Sequence, residues 1–217
     1  CSRREADRLV DEGKVMVNGV CAVMGQKVSS ADEIVVDGKK VSTKQVKPVL
    51  IAVNKPAGIV CTTARFEGEK NIVDMVKYPT RIYPIGRLDK ESEGLILMTN
   101  LGDLANEISK ASNSHEKEYV VTVDKPITEE FIKQMSKGVK ILDQVTRPCV
   151  VKKVNKHTFN IILTQGLNRQ IRRMCETLGF KVQKLKRVRI MGVHLDNLPI
   201  GNYRNLTNSE LDSLKKN

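Results

Sequence analysis

The feature that most limits how this chain can fold is the run Leu95-Ile96-Leu97-Met98, entered through Gly94 and left through Thr99-Asn100. A short, continuous apolar run between polar breaks reads as a buried strand. Just upstream lies Arg87-Leu88-Asp89. A carboxylate on the loop that feeds a core strand is held rigidly, and a guanidinium two residues away favours its charged form. Taken alone, an Arg and an Asp in one loop are also how an ordinary solvated ion pair looks, and such pairs contribute little. The motif gains weight only from its companions further along the chain.

The 217 residues, 40% hydrophobic and 29% charged, suit one good-sized folded domain and a small second one. Lys and Arg number 37 against 25 acidic residues, a net charge of +12 that favours an anionic partner. Nucleic acid stands ahead of an anionic membrane surface, because no basic amphipathic helix carries aromatic residues. Aromatics make up only 4% of the chain, which also argues against a stacking platform for long single strands. No apolar run is long enough to span a bilayer and no signal-peptide pattern opens the chain, so no membrane association is expected. The first residue is Cys1 rather than Met, which reads as a fragment. The five cysteines are dispersed and odd in number, with no Cys-x-x-Cys and no histidine at ligand-like spacing. The expectation is free thiols in a reducing cytoplasm, with no metal and no cofactor.

Residues 2–12 place Ala6, Leu9 and Val10 at helical spacing, with Arg3, Arg4 and Arg8 on another face, Ser2 as N-cap and Gly13 as stop. Val15-Met16-Val17 enters a turn at Asn18-Gly19, and residues 34–41 read as a hairpin turning at Asp37-Gly38. Residues 43–48 form a polar linker ending in Pro48, which separates a small unit, 1–42, from a larger one, 49–217. The larger unit opens with a strand from Val49 to Val53 that breaks at Pro56 and Gly58; Lys55 between them is within reach of a phosphate. Strands are expected over 116–125 and in two runs within 145–164, and a helix capped by Thr128 ends at Gly138.

The stretch 165–179, QGLNRQIRRMCETLG, is the second informative one. Ile171, Met174, Cys175 and Leu178 form a buried helical stripe, with Asn168 expected as N-cap and Gly179 just beyond the end. Arg169 and Arg173 fall nearly opposite, and Arg172 lies on the flank between core and solvent. A half-buried guanidinium needs an anion, and a fixed carboxylate is one candidate. Between 166 and 191 stand eight basic residues against one acidic residue, which reads as a surface following phosphates through Arg169, Arg173, Lys184 and Arg187.

Two resemblances follow from these phrases. Ser2-Arg3-Arg4-Glu5-Ala6-Asp7-Arg8-Leu9 with Val15-Met16-Val17-Asn18-Gly19 resembles the small RNA-binding domain first described in ribosomal protein S-four, whose basic helix docks on RNA backbone. That likeness covers residues 1 to about 42 and implies that the module's first helix precedes Cys1. The ordered set GRLDKESEGLILMTN (86–100), HEKEYVVTVD (115–124), QGLNRQIRRM (165–174) and LKRVRIMGVHL (185–195) resembles the RNA pseudouridine synthases of the RsuA, RluB, RluE and RluF group.

The second likeness implies an α+β catalytic domain with a mixed, largely antiparallel sheet flanked by helices. It implies isomerisation of uridine to pseudouridine in structured RNA, ribosomal RNA of the large subunit first and a transfer-RNA anticodon stem-loop as a second target. Asp89 matches the family's catalytic aspartate, Tyr119 its active-site tyrosine and Arg172 the basic residue that pairs with the aspartate. Arg87 joins the residues facing RNA, and Leu185 is the candidate for the apolar residue of the pocket. The reaction breaks N1–C1′, turns the base over and rejoins it at C5, so nothing is gained or lost and no cofactor is needed. The carboxylate acts as nucleophile or base, on a base taken out of its stack. The expected enzyme is a monomer. A reading from another class, a non-catalytic RNA-binding assembly factor, accounts for the charge but not for Asp89, Tyr119 and Arg172 together.

Overall fold

The computed structural model describes residues 1–41, 47–109 and 115–215, and these divide into two units, Cys1–Lys47 and Pro48–Asn217. Most of the expected linker lies outside the described residues. In the first unit, Ser2 caps helix α1 (Arg3–Asp11), its hydroxyl accepting from the Glu5 amide at 3.1 Å. Four short strands follow: β1 (Val15–Val17), β2 (Val20–Cys21), β3 (Ile34–Val36) and β4 (Lys39–Lys40). Their order is β2-β1-β3-β4, every pairing antiparallel. Both tight turns need two successive residues with positive φ: Asn18 and Gly19 at 50° and 81°, and Asp37 and Gly38 at 47° and 73°. Asn-Gly and Asp-Gly tolerate that geometry, and it matches the twist of the strands they join. Arg3, Arg4 and Arg8 are exposed on α1.

In the second unit β5 (Leu50–Lys55) leads to α2 (Ile72–Val76), capped by Asn71, then β6 (Tyr83–Ile85), β7 (Glu93–Thr99) and α3 (Gly102–Ser109). The chain continues through β8 (Lys117–Val123), α4 (Glu129–Lys137), β9 (Lys140–Ile141), β10 (Gln144–Val145), β11 (Val150–Lys153) and β12 (Thr158–Leu163). It ends with α5 (Gln170–Thr177), β13 (Val182–Ile190), β14 (Val193–His194), β15 (Tyr203–Asn205) and α6 (Asn208–Lys215). Nine strands make one sheet, with path β11-β12-β8-β13-β7-β5-β15 and with β14 on β13 and β6 on β7. Every pairing in it is antiparallel except β13 with β7. The mixed, largely antiparallel α+β architecture is therefore the one expected.

The apolar run of β7 is explained by what covers it. Leu95 and Leu97 pack with Ala105 and Ile108 of α3 and Leu214 of α6; Ile96 and Met98 pack on the other face with Ile72 and Val76 of α2. All four are fully buried, each contributing about 1.5–3 kcal/mol of transfer free energy. A third cluster joins β8 and β12 to Phe131 and Met135 of α4 and to Ile171, Met174 and Cys175 of α5.

Strand β13 corrects the sequence reading. The basic stretch after Gly179 is not a surface track but a central strand, hydrogen-bonded to β8 on one side and β7 on the other. Its lysines and arginines masked the strand pattern. Gly94 makes the parallel contact possible: a Cβ there would stand 2.2 Å from the Arg187 carbonyl oxygen, and its φ is +104°.

Candidate active site

Asp89 sits on the Gly86–Ser92 segment between β6 and β7, and several bonds hold that segment. The Leu88 amide donates to Cys61 Sγ at 3.4 Å, with Leu88 itself buried. The Ser92 amide donates back to the Asp89 carbonyl at 3.0 Å, closing a turn, and the Gly58 amide donates to the Lys90 carbonyl at 2.7 Å. Lys90 Nζ meets Glu69 at 2.7 Å.

Lys55 completes this corner, and not as expected. It is wholly buried, and its ammonium donates to the carbonyls of Pro56 (2.8 Å), Ile59 (2.9 Å) and Lys90 (3.4 Å). Burial pushes its pKa below the ordinary range, with the nearby acidic groups opposing. Its role is to staple the loop after β5 to the loop bearing Asp89. Its ammonium is turned into the fold and leaves no exposed atom for an RNA phosphate.

Helix α5 supplies the cations. Arg169, not Asn168, occupies the N-cap position, in the left-handed region at φ 50° and without a side-chain capping bond. Asn168 instead accepts from Arg173 through its carbonyl and its side chain, both at 3.1 Å. The Gln170 side chain accepts from the Leu167 amide at 3.0 Å, which ties the segment before the helix to its first residue. At the far end Gly179, φ +78°, follows the helix as expected.

The left-handed turn at Arg169 aims its guanidinium at Glu91 (2.9 Å) and Asp89 (3.8 Å). The bond to Arg169 holds the Glu91 carboxyl below its usual range. Arg172, on the buried side of α5, places Nε 3.8 Å from Asp89 Oδ2 while Nη2 donates to Ser92 Oγ at 3.2 Å. Arg87 is exposed and is not among the cations paired with Asp89.

Tyr119 stands on β8 opposite Ile161 of β12 and Arg187 of β13, packed between two of the three core clusters. Asp89, Tyr119, Arg172, Leu185, Lys117 and Arg187 line one cavity of about 230 Å³. That is below the ~300–1,000 Å³ of sites built for drug-sized ligands, so the cavity is a small one. Three elements far apart in sequence thus bring the three expected residues to one place.

The basic residues expected to face RNA divide. Arg187 is only 3% exposed, its Nε donating to the Leu95 carbonyl at 2.7 Å, so it belongs to the cavity and not to a surface. Lys184 projects outward and pairs with Glu93 at 3.1 Å. Arg169 and Arg87 line the cavity. Lys117 escaped the sequence reading, although its place two residues before Tyr119 puts both side chains on one face of a strand.

The model of the family described as RNA pseudouridylate synthase matches residues 49–177. The chain belongs to that family. It is 56% identical, over its whole length, to 74% of the dual-specificity RNA pseudouridine synthase RluF of Escherichia coli strain K12. It is 38% identical, over 99% of its length, to 90% of the ribosomal large subunit pseudouridine synthase B of Bacillus subtilis. A solved structure titled as the crystal structure of pseudouridylate synthase superposes with a TM-score of 0.75 at 28% identity, covering 98% of this chain and 94% of that one.

As an RNA pseudouridine synthase the chain is an isomerase acting on RNA, and the reading as a non-catalytic clamp gives way. Burial pushes two thiols of this synthase away from reactivity, Cys149 to about 11 and Cys175 to about 12. Among the described residues no helix is long and apolar enough to cross a membrane, and no group of three or more His, Cys, Asp and Glu side chains is placed to hold a metal.

Proposed function

We propose that Asp89 is the carboxylate through which this synthase acts, on a uridine extruded into the cavity beside it. The observation that carries the reading is the convergence of Asp89, Tyr119 and Arg172 on one small cavity, with two guanidiniums 3.8 Å from the same carboxylate oxygen. Tyr119 offers a ring face to the base and a hydroxyl for proton handling near C5. Arg172 and Arg169 hold the carboxylate in place, and Leu185 supplies an apolar wall. Asp89 acts either by attacking a carbon of the nucleoside or by removing a sugar proton.

The substrate is a stem-loop of ribosomal RNA from the large subunit, with a transfer-RNA anticodon stem-loop as a second target. This extends to the chain what the names of its relatives say: one is called dual-specificity, another is named for the large subunit. The first unit is a ribosomal protein S-four-like RNA-binding module, a reading supported by the exposed arginines of α1, and residues 43–48 link it to the catalytic domain. Exposed Arg87 and half-buried Arg173, with Lys184, add contacts to the RNA backbone. The protein works as a monomer in the cytoplasm. Incubation with transcribed large-subunit RNA and transfer RNA, followed by chemical mapping of pseudouridine, tests this. Modification confined to one or two stem-loop uridines is the expected result; RNA bound but unmodified overturns it.

A further inference from the structure

Among the described residues, two cations held within the fold, one buried and one half-buried, line the cavity without an anion. Arg187 is buried on β13; its Nε is spent on the Leu95 carbonyl, while its Nη2 has no hydrogen-bond partner. Lys117, half-buried on β8, donates to the His115 carbonyl at 3.0 Å. Both line the same cavity as Asp89 and Tyr119. Among the described residues, no carboxylate lies within ion-pairing distance of either, whereas Asp89 is matched by Arg172 and Arg169. Burial pushes Lys117 below the usual lysine range, and the like charge of Arg187 adds to the effect.

An unpaired buried guanidinium beside a half-buried ammonium is costly in an empty site. The arrangement makes sense where negative charge develops during the reaction, because groups already oriented towards that charge need no reorganisation. Breaking N1–C1′ leaves the bonding pair on the pyrimidine, where it spreads from N1 onto the two carbonyl oxygens. When C5 then joins C1′, the ring donates that pair back; the C5 proton passes to water and N1 takes one from water. The balance is zero, but the ring is anionic between the two steps.

We infer that Lys117 and Arg187 form the site that holds the detached pyrimidine as an anion, by donating to its carbonyl oxygens. Tyr119 lies between them in space, two residues from Lys117 along β8 and directly opposite Arg187 across the ladder. A base lying against the tyrosine ring therefore has both cations at its edge. The inference rests on the reading of Asp89 and this cavity as the active site.

The test is single-turnover kinetics of Lys117→Met and Arg187→Lys on the stem-loop modified by the wild-type enzyme, with RNA affinity measured in parallel. Each variant is compared on uridine and on 5-fluorouridine at the target, following loss of the starting nucleotide. Fluorine at C5 makes the ring more acidic and its anion a better leaving group. The expected result is a fall in rate of about 10²–10³-fold on uridine with RNA affinity unchanged, and a clearly smaller fall on 5-fluorouridine. A rate near wild type for Lys117→Met overturns the inference, as does an equal loss on both bases, which marks a merely structural role. Weaker binding with a shallower salt dependence and an unchanged rate assigns the pair to an RNA phosphate instead, and also overturns it. Arg187→Lys is the harder variant to fold, since Arg187 also bonds the Leu95 carbonyl; Lys117→Met decides alone if it fails. Absence of pseudouridine from the wild-type enzyme would refute the parent reading and the inference with it, whereas failure of the inference alone shows as a wild-type rate in Lys117→Met beside an active wild-type enzyme.

Discussion

Arg172 Nε stands 3.8 Å from Asp89 Oδ2, and the arginine side chain is 9% exposed where the carboxylate is 33% exposed. The cation is the buried partner and the anion the accessible one. Arg172 is anchored from behind through Ser92 Oγ, and its Nε makes no hydrogen bond. Within the described residues no hydrogen bond reaches the Asp89 carboxylate; charge alone holds it, and its oxygens stay available to a substrate.

Replacing Arg172 by alanine should lower the single-turnover rate by about 10²-fold or more and destabilise the fold by about 1–2 kcal/mol. The stability loss stays modest because the carboxylate left behind still reaches water and Arg169. Denaturant unfolding and pseudouridine formation, measured on the same preparation, check both halves. A normal rate in a destabilised protein would make Arg172 a packing residue only.

Lys55 gives a prediction that separates staple from RNA contact. Lys55→Met leaves three carbonyls without their buried donor, and should cost about 2 kcal/mol or more of stability and slow catalysis through a loosened Asp89 loop. The slope of log affinity against log salt should stay as in the wild type, because no phosphate contact is lost. A slope shallower by about one would show that Lys55 reaches RNA after all.

Much of this site was legible in the sequence, and the failures share a cause. The Asp89 loop, the Tyr119 strand and the Arg172 helix each carry a local signature, a buried run or a helical stripe, and each element formed where expected. Lys55, Arg187 and the whole of β13 were misread because charge was taken as a mark of exposure. Each basic group found a buried role that only the assembled sheet creates: Lys55 because backbone carbonyls converge on it, and Arg187 because Gly94 lets two strands run close together. Arg169 at the N-cap was invisible for a similar reason. Its left-handed turn brings it to Glu91 and Asp89, far upstream in the chain, and no local pattern announces that pairing.

The C-terminal helix carries a pH signature. Arg204 grips Glu210 at 2.6 Å, and this bond holds the Glu210 carboxyl down at about 2, from an ordinary 4.5. A carboxyl lowered in the folded state stabilises fully above its unfolded value, and that stability is lost as pH falls from about 4.5 to about 2. Glu210→Gln should therefore be less stable than wild type near neutral pH, by on the order of 3 kcal/mol, with the gap closing on acidification. A gap constant with pH would show that the glutamate contributes through packing.

The account stands most directly on Asp89→Asn, assayed for pseudouridine in the target stem-loop under single-turnover conditions alongside RNA affinity. The amide keeps the shape of the side chain but removes both the charge and the basicity on which the proposed chemistry depends. The predicted result is a rate reduced by about 10³-fold or more with RNA affinity and thermal stability close to wild type. Turnover near the wild-type rate would contradict it.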